Sequence, residues 1–133
     1  MIRFLLLLTL VVPAAMAQEA ACNPEGSQAE MNRCALDDLD QADAELNSAY
    51  ARIVATMKNE PVALQRLRTA QRLWIQLRDA DLAAQFPLAD GQDARLEYGS
   101  IYPLEYASAK AELTRQRTAY LRGQFSAQPD DGR

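Results

Sequence analysis

The chain has no histidine at all, two cysteines and one tryptophan in 133 residues. Without histidine the commonest acid–base relay is excluded, and two cysteines alone do not complete a zinc site, so no metal is expected. Glycine is scarce, at five residues, and none stands in a phosphate-cradling loop. No serine or cysteine lies beside a base that would activate it. Paired acids exist, but they flank a helical seam, so the sequence predicts a protein that is not an enzyme and takes no cofactor. Positive charge is the minority, 14 Lys and Arg against 18 Asp and Glu for a net of −4. A basic nucleic-acid surface is therefore absent.

The first 17 residues, MIRFLLLLTLVVPAAMA, carry Arg3, an apolar run from Phe4 to Val12, Pro13, and small residues at Ala15 and Ala17. This is the layout of a secretory signal peptide with an A-x-A cleavage site, and the run is too short to span a membrane. The mature chain is expected to begin at Gln18, with a net charge of −5 once Arg3 is lost, and to stay out of the membrane. Lipid attachment at Cys22 fits less well, because Glu19 stands where an aliphatic residue is expected. In an exported chain Cys22 and Cys34 imply one disulfide, worth about 3 kcal/mol on the loop-entropy model. It would pin an N-terminal arm, residues 18–26, to the first helix.

The remaining length suffices for one small core. At its centre is LQRLRTAQRLWIQLRDADL, Leu64 to Leu82. Leu64, Leu67, Ala70, Trp74 and Leu77 recur at helical spacing, which predicts an apolar stripe with Gln71 and Arg78 at its edge. Those polar groups need partners from neighbouring helices.

Ser27 followed by Glu30 is a capping box that opens a first helix over about 28–58. Ala35, Leu39, Ala42, Leu46, Ala49 and Ile53 alternate spacings of four and three, a coiled-coil-like seam. Asp37, Asp38, Asp40, Asp43 and Glu45 crowd its N-terminal half, a solvated face on the plain reading. Pro61 starts a second helix after a short break, so the two form an antiparallel hairpin. Reflection through the break sets Leu46 level with Trp74, Asn47 with Gln71, and the Asp38 turn with Arg78. It predicts an Asn47–Gln71 hydrogen bond and a pairing of Arg78 with Asp38 or a neighbouring acid. The second helix should fail at Phe86, before Pro87.

A long segment, residues 87–102, follows, interrupted by a helical turn near 92–97. Pro103 begins a third helix with an expected inward stripe of Tyr106, Ala109, Leu113 and Tyr120, flanked by Thr114 and Arg117. The fold class is therefore all-α, a three-helix antiparallel bundle over residues 27–123, with a fraying tail over 124–133. Asn47, Tyr50, Gln71, Trp74, Arg78, Thr114 and Arg117 are read as its polar and aromatic architecture.

A connection as long as 87–102 is uncommon in a compact domain unless it is functional. Arg95, Tyr98, Gly99, Ser100 and Tyr102 are its candidate binding residues, combining ring area, a hydroxyl and a permissive backbone. The bland alternative is that Ile101 and Tyr102 only lid the bundle, and for Tyr98 and Ser100 both readings stand.

The spaced set QAEMNRC (28–34), ADAELNSAY (42–50), LRTAQRLWIQLRDAD (67–81), Gly99 with Ser100, and LTRQRTAYL (113–121) resembles the LprI-like lysozyme-inhibitor domain family. The resemblance covers nearly the whole mature chain. It implies a small exported helical domain in the periplasm or outside the cell, whose partner is lysozyme or another envelope protein. It departs at Leu82 and Ala109, where the family commonly has cysteines. Their joint absence implies that the family's second bridge joins helices two and three there, so that Leu82 and Ala109 face each other. Tyr98 also replaces the first of the family's usual glycine pair. Inhibition would then be occlusion of the lysozyme cleft by the 87–102 segment, with the acidic domain steered toward a basic enzyme. The rival is an envelope interaction module that binds another periplasmic protein or peptidoglycan through Asp37 to Glu45.

Overall fold

The computed structural model describes residues 22–125, so the expected signal peptide over residues 1–17, residues 18–21 of the expected arm and residues 126–133 of the expected tail lie outside the described residues. Four helices follow one another: α1 (Gln28–Thr56), α2 (Pro61–Gln85), α3 (Ala94–Tyr98) and α4 (Tyr102–Phe125). The three long ones form the expected all-α bundle.

Helix α1 begins where the capping box places it. Ser27 Oγ accepts from Glu30 N, and the Glu30 carboxylate accepts from Ser27 N at 2.8 Å. Ser27 N and Ser27 Oγ each donate to the Glu30 carboxylate at 2.8 Å, and these bonds hold that carboxyl below its usual range. Gly26 leaves the room for this, since a Cβ there would stand 2.6 Å from Glu30 Oε2. Cys22 is bonded to Cys34, with Cα atoms 5.2 Å apart, and ties the arm onto the first turns of α1.

Helices α1 and α4 run side by side in the same direction, with α2 antiparallel to both. Asn32 meets Ser100, Asp38 meets Arg115 and Glu45 meets Arg122 in that order along the pair. The seam of α1 is the one its sequence predicts: Ala35, Leu39, Ala42, Leu46, Ala49 and Ile53 are all buried. Because α1 offers alanine at every other seam position, a second helix can approach closely, and it is α4 that does so.

That close approach corrects the predicted stripe of α4. The buried residues are Ala107, Ala111, Thr114, Thr118 and Leu121, not Tyr106, Ala109, Leu113 and Tyr120, and Tyr120 is exposed. Only small side chains fit against the α1 alanines, so the rings are displaced to the flanks. The buried hydroxyls have acceptors: Thr118 Oγ1 donates to Thr114 O at 3.0 Å, and Thr114 Oγ1 to Asp43 Oδ1 at 3.4 Å.

Helix α2 stands further off, and its inward line is also rotated from expectation. Leu67, Gln71 and Leu82 are buried and Leu64, Trp74 and Arg78 half-buried, while Ala70 and Leu77 face solvent. Gln71 thus lies on the inward line rather than at its edge. Its partner is Arg117 of α4, whose Nε donates to Gln71 Oε1 at 3.0 Å. Asn47 is exposed and does not supply this bond. Arg78 pairs with Asp79, Nη2 to Oδ1 at 2.8 Å, instead of Asp38. Both corrections have one cause: the nearest neighbour of α1 is α4, so Asp38 meets Arg115 at 2.9 Å and α2 is left to the arginine from α4. Tyr50 and Trp74 pack on the cluster of Leu46, Ile53, Leu67 and Leu121. Arg78 and Arg117 lie over the Trp74 ring, 5.2 and 5.7 Å from its centroid.

Among the described residues no helix is long and apolar enough to cross a membrane.

Candidate functional site: the loop end of the bundle

The segment between α2 and α4 is held from four directions. Phe86, the last residue before Pro87, sits among three rings, with centroids 5.9 Å from Tyr98, 5.6 Å from Tyr102 and 5.7 Å from Tyr106. Tyr98 stacks on Tyr102 at 5.6 Å, and its hydroxyl donates to Pro87 O at 2.7 Å, closing the loop on itself. The Asp93 carboxylate caps α3 by accepting from Arg95 N and Leu96 N at 2.8 and 3.1 Å. Asn32 Nδ2 of α1 donates to Ser100 O at 3.0 Å. Gly99 takes φ +77°, which a residue with a side chain rarely adopts, and so turns the chain from α3 into α4.

The rings therefore face inward. Tyr98 and Tyr102 are half-buried, and burial, with Tyr106 and Tyr98 beside it, pushes the Tyr102 phenol up. Of the predicted binding residues, these two brace the loop and Gly99 shapes its backbone. Arg95 and Ser100 remain exposed and line one open groove of about 510 Å³ with Asn32, Arg33 and Leu36.

The residue that sequence reasoning missed is Leu96, which is 89% exposed. Its signal is legible in hindsight: a five-residue helix presents too little surface to bury an apolar side chain on each face. Leu88 and Ile101 are also partly exposed at this end. Phe86, the hub of the ring cluster, was missed too, although Tyr98, Tyr102 and Tyr106 recur at intervals of four and one face of them needed cover. The acidic run of α1 is partly committed to the fold, with Asp38 on Arg115, Glu45 within 3.7 Å of Arg122, and Asp43 accepting from Thr114.

Comparison with known proteins bears on this geometry. The family model described as lysozyme inhibitor LprI matches residues 19–121. The chain belongs to the LprI family. An uncharacterized protein of Rhizobium meliloti is 40% identical over 129 residues, covering 88% of each chain. No solved structure matches. Of the pair expected to face each other, Leu82 is fully buried and Ala109 half-buried. The family is described as one of lysozyme inhibitors.

Proposed function

We propose that this chain is an exported, non-enzymatic lysozyme inhibitor that occludes the lysozyme cleft with the α3 end of its bundle. Leu96 is the anchor, and Arg95 and Ser100 are the polar contacts beside it. The observation that carries this reading is the 89% exposure of Leu96 on a loop fixed by a ring cluster and several hydrogen bonds. An apolar side chain held outward by a rigid support loses little freedom on binding, which is what an interface anchor requires. Glycosidase clefts carry a pair of carboxyl groups, and the Arg95 guanidinium matches a carboxylate with two parallel hydrogen bonds. The disulfide between Cys22 and Cys34 suits an oxidising compartment, in keeping with export. Net negative charge speeds encounter with a basic lysozyme. The rival acidic-face reading has less to draw on, since Asp38 and Glu45 already pair with arginines of α4.

The test is a muramidase titration with disulfide-intact mature protein. Inhibition that falls at least about tenfold in Leu96→Asp and Arg95→Glu, but not in a variant with Asp37 and Asp40 changed to Asn, supports the loop. Absence of inhibition by the unaltered protein across a panel of lysozymes removes the proposal.

A further inference from the structure

Far from the loop, Tyr50 of α1 and Gln65, Arg68, Gln71 and Arg72 of α2 line another, smaller open cleft of about 340 Å³. Its lining contains no carboxylate. From Pro61 to Arg72, helix α2 carries three arginines and no acid, and Arg68 and Arg72, four residues apart, project from one side of the helix, where like charges repel. Arg72 Nη2 reaches Thr69 Oγ1 at 3.4 Å, which neutralises nothing.

Gln71 decides what the cleft can hold. It is only 9% exposed, and its Oε1 accepts from Arg117 Nε. Arginine has donors only, so the amide oxygen must face Arg117 and the NH2 must face away. Among the described residues that NH2 has no hydrogen-bond partner, yet no fully buried side-chain nitrogen or oxygen is left unsatisfied. The amide therefore reaches the cleft. We infer that this cleft binds an oxyanion, a carboxylate or a phosphate group, with Gln71 Nε2 donating from its floor and Arg68 and Arg72 closing on it from the rim. Tyr50 and Gln65 supply further donors. The site is independent of the loop reading, since about 16 residues of helix, roughly 24 Å, separate it from Phe86.

The test is a heteronuclear NMR titration of disulfide-intact protein at constant ionic strength, following the Gln71 side-chain amide. The probes are inorganic phosphate and N-acetylglutamate, with chloride as control. A saturable shift of that amide with phosphate, with N-acetylglutamate or with both supports the site, and their order identifies the source of the anion. Arg68→Gln is expected to weaken binding by about tenfold, the worth of one charge-assisted hydrogen bond. Both arginines are exposed, so the variants keep the fold. No shift, an equal shift with chloride, or an unchanged response in the Arg68→Gln, Arg72→Gln double variant overturns the inference.

Discussion

Arg117 Nε donates to Gln71 Oε1 at 3.0 Å while its guanidinium lies 5.7 Å from the centroid of the Trp74 ring and 5.2 Å from that of Tyr120. One side chain from α4 thus joins α2 to the tightly packed α1–α4 pair by a hydrogen bond and a ring contact, beside the apolar cluster of Leu46, Ile53, Leu67 and Leu121. Burial pulls its guanidinium below the usual range, but such a group remains charged, and the rings and the amide oxygen take the place of water.

Arg117→Ala should therefore destabilise the fold by about 2 kcal/mol, since it removes a charge-assisted hydrogen bond and two ring contacts together. Arg117→Lys should recover only part of the loss, because a lysine cannot offer a planar face to Trp74 and a donor to Gln71 at once. Urea unfolding of the three proteins checks this, and a loss in Arg117→Ala indistinguishable from a surface substitution would contradict it.

Ala111 is fully buried at the α1–α4 contact. Ala111→Leu forces apart helices that sit close only because their facing residues are small, at a cost of about 1–3 kcal/mol. Ala119→Leu, on the exposed side of α4, should change stability by less than about 0.5 kcal/mol. Thermal melts of the two variants separate a close-packed seam from a loose one.

The seam of α1 was legible because its alternation of four and three is unbroken and its apolar residues outnumber the alternatives. Capping box, Pro61, the break at Phe86 and the disulfide were legible because each is a local rule. The inward lines of α2 and α4 were misphased for a shared reason. Hydrophobicity alone ranks Leu77 above Arg78 and Tyr106 above Ala107, whereas here the α1 alanines favour small partners and Arg117 favours polar ones. Which helix comes closest to α1 is a tertiary fact that no single helix encodes. At the loop end, the exposure of Arg95 and Ser100 agrees with their polar character, while that of Leu96 was not legible because it is a property of α3's shortness and placement.

The phenol of Tyr102, pushed up by burial, makes an alkaline contribution to the pH dependence of stability testable. A phenol that is harder to ionise when folded keeps its proton above the ordinary value near 10, while the unfolded chain loses it. Stability from this source is fully present below that ordinary value and is lost as pH rises through the folded one. Ultraviolet titration should show a late tyrosine ionisation step, and Tyr102→Phe should remove it. A titration curve whose late end is unchanged in Tyr102→Phe would contradict the raised phenol.

Phe86 offers a way to separate what the loop presents from what holds it still. Its ring touches Tyr98, Tyr102 and Tyr106 but belongs to α2's C-cap, outside the exposed tip. Phe86→Ala leaves Arg95, Leu96 and Ser100 in place and takes away the hub against which their supports pack. The tip then samples more conformations when free, and binding must first restrict them, so affinity falls through ordering cost rather than through a lost contact. Hydrogen exchange at the amides of α3 should quicken in Phe86→Ala while those of the α1 seam stay protected. Inhibition should weaken in step with that loosening. Tyr98→Phe, which loses only the hydroxyl bond to Pro87 O, should give a smaller effect of the same kind, about 1 kcal/mol. If α3 exchanges faster and inhibition is unchanged, rigidity of the tip is irrelevant to binding and the anchor must lie elsewhere.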